Sequence, residues 1–204
     1  MELTQKQIVD KYDKFAKKYN RSESFFEFLV LNRIRKLLFK NLRGKILEVG
    51  VGTGKNFKYY SSDSKITALD SSNEMMKIAR RESEKYGLKV DFIQGSVVKL
   101  PFKKNRFDFV VDSLGLCTYP DKILALKEMR RVCKKNGKII LLEHGISKYT
   151  FIKNIQYKLR KFQMGFLGCD LVINPLELVK KAGLKIVFQK ITFMGIIYCL
   201  VLRD

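Results

Sequence analysis

Apolar positions recur along this chain in two rhythms. Short apolar runs at 45–49, 65–70, 89–94, 107–112 and 138–144 are separated by stretches in which apolar residues fall three and four apart. Parallel strands must be joined by crossovers, most often helices, so runs of this length alternating with helical patterns predict a doubly wound α/β sheet with helices on both faces. In such a sheet the ligand lies at the carboxyl ends of the strands. The pattern places a short helix after Gly54 and a helix over about 72–86. A third helix opens at Pro120-Asp121, carries Ile123, Leu124, Leu126, Met129, Val132 and Cys133 on its apolar side, and closes at Asn136-Gly137.

Before the first strand, Ile8, Tyr12, Phe15, Ala16 and Tyr19 follow helical spacing from a start at Thr4 or Gln5. A second helix, about 24–40, is apolar on most sides, with Arg33, Arg35, Lys36 and Lys40 along one region, and is expected to be largely buried. Beyond the core, the stretch 145–168 contains no acidic residue. Its Lys148, Lys153, Lys158, Arg160 and Lys161 alternate with Phe151, Ile152, Ile155, Tyr157, Leu159, Phe162 and Met164, a basic amphipathic segment. Asn174-Pro175-Leu176-Glu177 combines a capping asparagine, a proline at the first helical position and a glutamate for a capping box, opening a helix that ends at Gly183. Two last strands, 184–193 and 195–203, join near Met194-Gly195 and should pair antiparallel.

A length of 204 residues with 46% apolar content suits one domain. The apolar run at 196–202 is far shorter than the roughly 20 residues of a membrane-spanning helix. The start of the chain lacks a signal peptide's apolar core, so a soluble or peripheral protein of the cytoplasm is expected. Cys117, Cys133, Cys169 and Cys199 form no C-x-x-C pair and meet a single histidine in the sequence. Reduced thiols, mostly in the core, are expected, with no metal site and no disulfide framework. The charge of +21 attracts phosphate-rich partners, which leaves RNA and an anionic membrane surface both open; a lysine-rich proteome would raise it equally.

The chemistry concentrates at Ile46-Leu47-Glu48-Val49-Gly50-Val51-Gly52-Thr53-Gly54, a strand running into a turn with glycine at every second position. Lys55 stands where a dinucleotide fingerprint needs its third glycine, so the spacing is E-x-G-x-G-x-G. Asp70 ends the next strand about twenty residues on, where βαβ nucleotide folds bind ribose hydroxyls. Gly95-Ser96 follows the third strand and Asp112-Ser113 ends the fourth.

This series resembles the class I S-adenosylmethionine (SAM) methyltransferases over nearly the whole chain. It is most similar to the ubiquinone/menaquinone-type (UbiE-like) group and its phospholipid N-methyltransferase relatives. The resemblance rests on residues 12–19, ILEVGVGTGKN (46–56), ALKEMRRVCKKNGKIILLEHG (125–145), Gly168-Cys169-Asp170, Asn174-Pro175 and the 181–184 turn. It implies a Rossmann-like, seven-stranded, mostly parallel sheet with the last strand antiparallel. Helices in 1–44 would cover the cofactor cleft, 45–145 would form the SAM-binding core, and 146–204 would add the basic segment, a helix and the hairpin. It assigns Glu48, Gly50, Gly52, Thr53 and Gly54 to the methionine part of SAM, Asp70 and Ser71 to the ribose, and Gly95, Ser96 and Val97 to the adenine. Asp112, Ser113 and Leu114 would form the rim beside the sulfonium, and Tyr19 a cover. Ser96 stands where the group usually has an acidic residue, giving a weaker partner for the adenine amine.

No Asn/Asp-Pro-Pro-Tyr follows strand four, which argues against base-amine or glutamine-amide acceptors, and the cysteines near the site are too few for arsenite chemistry. The function implied is methyl transfer from SAM, leaving S-adenosylhomocysteine, to a lipid, quinone-like or other lipophilic acceptor. RNA, notably transfer RNA, is the alternative substrate, and a non-catalytic SAM-binding partner subunit the alternative class. The donor is already activated, so positioning and exclusion of water supply most of the catalysis. His144 at the end of strand five, with Tyr119 and Glu143 near it, are the candidate bases.

Overall fold

The computed structural model describes the backbone of residues 3–26 and 30–204 and the side chains of residues 3–16 and 30–204. Seven strands form one sheet in the order β3-β2-β1-β4-β5-β7-β6. They are β1 (Lys45–Val49), β2 (Lys65–Asp70), β3 (Val90–Gln94), β4 (Phe107–Ser113), β5 (Cys133–His144), β6 (Lys185–Thr192) and β7 (Ile197–Arg203). Pairings among β1 to β5 are parallel and β7 is antiparallel to β6, as the patterning predicts, and β7 is also antiparallel to β5, as the resemblance implies.

Alternate residues of the same strand enter two cores. On one face Leu47, Val110, Ile139 and Leu200 pack against α4 (Lys122–Val132) and α6 (Pro175–Lys181). On the other, Ile46, Ile66, Val111 and Ile140 pack against α2 (Asn32–Phe39) and α3 (Asn73–Lys85). Each of α3, α4 and α6 begins at a side chain that takes up free helix N–H groups. Ser72 accepts from Met75 N, Asp121 from Leu124 N, and Asn174 from Leu176 N and Glu177 N.

The chain turns in opposite directions from β1 and from β4, so the loops that follow these two strands diverge and leave a crevice between them. The functional site is built there. Helix α1 (Gln5–Phe26) lies across it and contacts α3 and α5 (Thr150–Leu167). Among the described residues, no helix is long and apolar enough to cross a membrane.

Four elements differ from expectation. The helix after Gly54 is a single 3-10 turn, Phe57–Tyr59. The first helix continues to Phe26, and the second begins at Asn32 with Leu37 69% exposed, so it is only partly buried. Helix α4 stops at Val132 rather than at Asn136-Gly137. There the arginine at position 106 donates its backbone N–H to the Val132 carbonyl and Cys133 pairs with Phe107, which pulls the chain into β5 through a bulge. Helix α5, within the expected basic amphipathic segment, buries only Gln156 among its side chains and leaves its apolar stripe in the open.

Candidate active site

The glycine loop departs from β1 with Gly50, Gly52 and Gly54 all at positive φ (59°, 55° and 79°). Their three missing side chains have different consequences. A Cβ on Gly50 would meet the Tyr119 hydroxyl at 2.6 Å, and one on Gly54 would meet Phe57 at 2.7 Å, so these two let the loop close onto the protein. A Cβ on Gly52 would meet only Gly50 O at 4.0 Å: this glycine faces open space in the crevice. Its N–H donates to Asp70 Oδ2 at 2.8 Å, and Ser72 N donates to Asp70 Oδ1 at 2.8 Å.

Glu48, 2% exposed at the end of β1, accepts from Asn56 Nδ2 and from the Tyr60 hydroxyl, both at 2.8 Å. Burial dominates its electrostatics and pushes its carboxyl up to about 7, against the two hydrogen bonds and the Arg35 guanidinium, which pull it down. Arg35 is itself buried and donates from one guanidinium nitrogen to Asn56 Oδ1 (2.5 Å) and Ser113 Oγ (2.6 Å), bridging the two walls of the crevice. An acidic pocket beside an uncovered backbone turn is suited to a ligand carrying positive charge.

The comparisons with known proteins agree. Residues 47–141 match the family model described as a methyltransferase domain. The chain is 30% identical to the demethylmenaquinone methyltransferase of Staphylococcus aureus over 170 residues, covering 79% of this chain and 70% of that protein. It belongs to the SAM-dependent methyltransferases of the UbiE-like group. It is also 33% identical over 213 residues to the mitochondrial methyltransferase OMS1 of Saccharomyces cerevisiae, covering 94% of this chain but only 45% of the yeast protein. Solved structures of SAM-dependent methyltransferases share the fold. The one from Thermotoga maritima superposes with a TM-score of 0.72 at 23% identity, over 96% of this chain and 99% of that one. The one from Aquifex aeolicus gives 0.66 at 16% identity, over 93% and 97%.

SAM is therefore this methyltransferase's cofactor, and the crevice fits it in two respects. The backbone at Gly52 is open to a ligand, and the Glu48 carboxyl, which burial raises despite its two hydrogen bonds and Arg35, suits a ligand's ammonium. Of the residues expected in the site, Glu48, Gly50, Gly52, Thr53, Asp70, Ser71, Ser113, Leu114 and Tyr119 all line the crevice. Gly95, Ser96 and Val97 do not. Gly95 N donates to Asp70 O, Val97 packs in the core, and the Ser96 hydroxyl is buried with no hydrogen-bond partner. Gly54 serves the packing of Phe57 rather than the lining.

Asp112 is not at the rim. It is fully buried below it and accepts from the Tyr119 hydroxyl at 3.0 Å, with its carboxyl pushed up to about 7 by burial. Tyr119 is in turn held protonated, by burial first and by that carboxylate, which makes it a donor and not a base. Burial likewise keeps the Glu143 carboxyl far above the carboxylate range. The side chain of Tyr19 lies outside the described residues.

His144 lines a second cavity of about 260 Å³ that shares Tyr12 and Leu114 with the crevice. Its Nε2 lies 3.1 Å from Cys169 Sγ, which lies 3.3 Å from Cys117 Sγ. The contact with Cys117, followed by His144, draws the Cys169 thiol down, while the same contact and burial raise Cys117. The sequence places Cys117, Cys169 and His144 each near the cleft but does not join them, since His144 and Cys117 stand 25 and 52 residues from Cys169. Sequence reasoning missed Arg35, although a signal was present: Leu31, Arg35 and Phe39 recur every fourth residue, and all three are buried, so the arginine sits on the helix's most buried stripe.

Proposed function

We propose that this methyltransferase acts on a lipid, quinone-like or other lipophilic acceptor that enters the cavity beside the cofactor crevice. The observation carrying this reading is the cavity itself: Leu114, Leu167, Leu171, Ile196 and Ile197 give it apolar walls, and it adjoins the crevice through Tyr12 and Leu114. The name of the staphylococcal relative supports a quinone-like acceptor.

Bound SAM supplies a methyl group already activated on a sulfonium. The chain's part is to bind, to orient and to exclude water. Glu48 takes the amino group of the methionine moiety, with Gly50, Gly52 and Thr53 along its backbone. Asp70 holds the ribose with the lone pairs its two backbone donors leave free, and Ser71 stands beside it. Ser113 and Leu114 form the rim, and Gln5, Ile8 and Tyr12 of α1 close over the top. His144 and Cys169 form the polar corner of the acceptor cavity and orient the acceptor's reacting group.

The outer surface of α5 meets an anionic lipid surface from which the acceptor is drawn. Phe151, Ile155, Phe162 and Phe166 recur at helical spacing along one exposed stripe, Phe151 at 74% and Phe162 at 69% exposure. Lys148, Lys153, Lys158 and Lys161 supply the matching charge, on the order of 1 kcal/mol each near such a surface, while Arg160 is paired with Asp170. Transfer from labelled SAM to lipid, quinone and RNA fractions tests the reading. Label in lipid or quinone supports it, and label in RNA alone overturns it.

A further inference from the structure

Cys117, His144 and Cys169 come from three separate places: the turn after β4, the end of β5 and the loop after α5. Their donor atoms nevertheless converge, with Nε2 3.1 Å from one sulfur, the two sulfurs 3.3 Å apart, and all three within 4.8 Å of one another. Both cysteines are buried, at 3% and 8% exposure, and the cluster forms one wall of the 260 Å³ acceptor cavity. We propose that these three side chains bind a thiophilic divalent cation, zinc by the character of the ligands, with the fourth coordination position open to the cavity.

The distances fit. Zinc holds thiolate sulfur at about 2.3 Å and imidazole nitrogen at about 2.0–2.1 Å, so tetrahedral ligands stand roughly 3.4–3.8 Å apart. The separations of 3.1 and 3.3 Å need to widen by about half an ångström to admit the ion, with Cys117 Sγ and the His144 ring already within 4.8 Å of each other. A disulfide would instead require the sulfurs to close to about 2.05 Å. Soft sulfur with imidazole selects zinc-like ions over magnesium or calcium, which take oxygen. Two thiolates in an apolar pocket are costly without a counter-charge, and a divalent cation supplies it. Two cysteines and one histidine with an open position make a set that can polarise an acceptor oxygen or sulfur. Only that last contact rests on the proposed function; binding of the ion does not.

The test is spectroscopic and needs no acceptor. Purified chain is stripped with a chelator under reducing conditions and titrated with cobalt(II) chloride, then back-titrated with zinc chloride. The expected result is one equivalent of cobalt bound, a thiolate-to-cobalt charge-transfer band with tetrahedral d–d bands, and bleaching of all of them by one equivalent of zinc. Cys117→Ser and Cys169→Ser should each lose most of the charge-transfer intensity, and His144→Gln should alter the d–d bands, while Cys199→Ala keeps the full spectrum. SAM binding by each variant verifies its fold. A wild-type chain that shows no charge-transfer band at equimolar cobalt overturns the proposal. So does a band that survives in both serine variants, or a stripped protein that takes up no metal and oxidises readily to a Cys117–Cys169 disulfide.

Discussion

The backbone N–H of Gly52 donates to Asp70 Oδ2 at 2.8 Å, so the turn after β1 is pinned to the end of β2 by the side chain assigned to the ribose. One carboxylate thus shapes the loop and lines the crevice. Gly52→Val adds a branched side chain at φ 55°, a left-handed conformation costing L-residues roughly 1–2 kcal/mol, and aims it into the crevice. Calorimetry should show SAM and S-adenosylhomocysteine affinity falling at least a hundredfold while the far-UV circular dichroism is kept. Unchanged affinity would refute the assignment of the crevice.

Glu48 makes both binding and stability depend on pH. Its folded-state pKa is raised from 4.5 to about 7, so the native protein holds a proton that the unfolded chain has lost across that window. This group's contribution therefore falls as pH rises from about 4.5 to 7 and levels off above, by on the order of 3 kcal/mol. An ammonium bound at Glu48 needs the carboxylate, so SAM affinity should rise toward pH 7, by up to about tenfold per unit. Glu48→Gln should flatten both slopes. Denaturant melts and calorimetry between pH 5 and 8 measure them, and an affinity independent of pH in the wild type would count against the role.

The crevice is narrow. With α1 in place its cavity is about 90 Å³, below the roughly 300 Å³ at which small-molecule sites begin, so α1 is expected to shift as SAM enters. Asp13 holds that helix down by accepting from the Ser72 hydroxyl and from Glu74 N. Asp13→Ala should therefore raise the stopped-flow association rate for SAM severalfold with a smaller change in affinity. A slower association would show that α1 does not gate entry.

Much of this was legible because burial on both faces forces a recognisable rhythm on β1, β2 and β4. The loop glycines and Asp70 were legible because turn geometry restricts which residues can stand there. Cys117, His144 and Cys169 could each be placed near the cleft, but their meeting could not, since nothing local marks residues that touch only through tertiary packing. Nor was the end of α4 legible, where pairing of Cys133 with Phe107 overrides a helical pattern that continues in the sequence. The exposure of α5 was equally unreadable, because an apolar stripe looks the same whether a protein or a membrane covers it.

That stripe makes its own prediction. Co-sedimentation with vesicles should increase with anionic lipid content and decrease with salt. Phe151→Ser combined with Phe162→Ser should weaken it several-fold with SAM binding intact, since both side chains point away from the crevice lining. A wild type that ignores anionic vesicles yet binds RNA tightly at the same ionic strength would shift the assignment to RNA.

The most direct measurement fills the acceptor cavity while sparing the cofactor crevice. Leu167 lines the former and not the latter, so Leu167→Trp crowds the acceptor alone. In that variant SAM should bind within about twofold of wild type, while kcat/KM for transfer to a quinone or lipid acceptor falls at least tenfold. Transfer to that acceptor at the wild-type rate, or loss of SAM binding in its place, would contradict the division of the site into these two chambers.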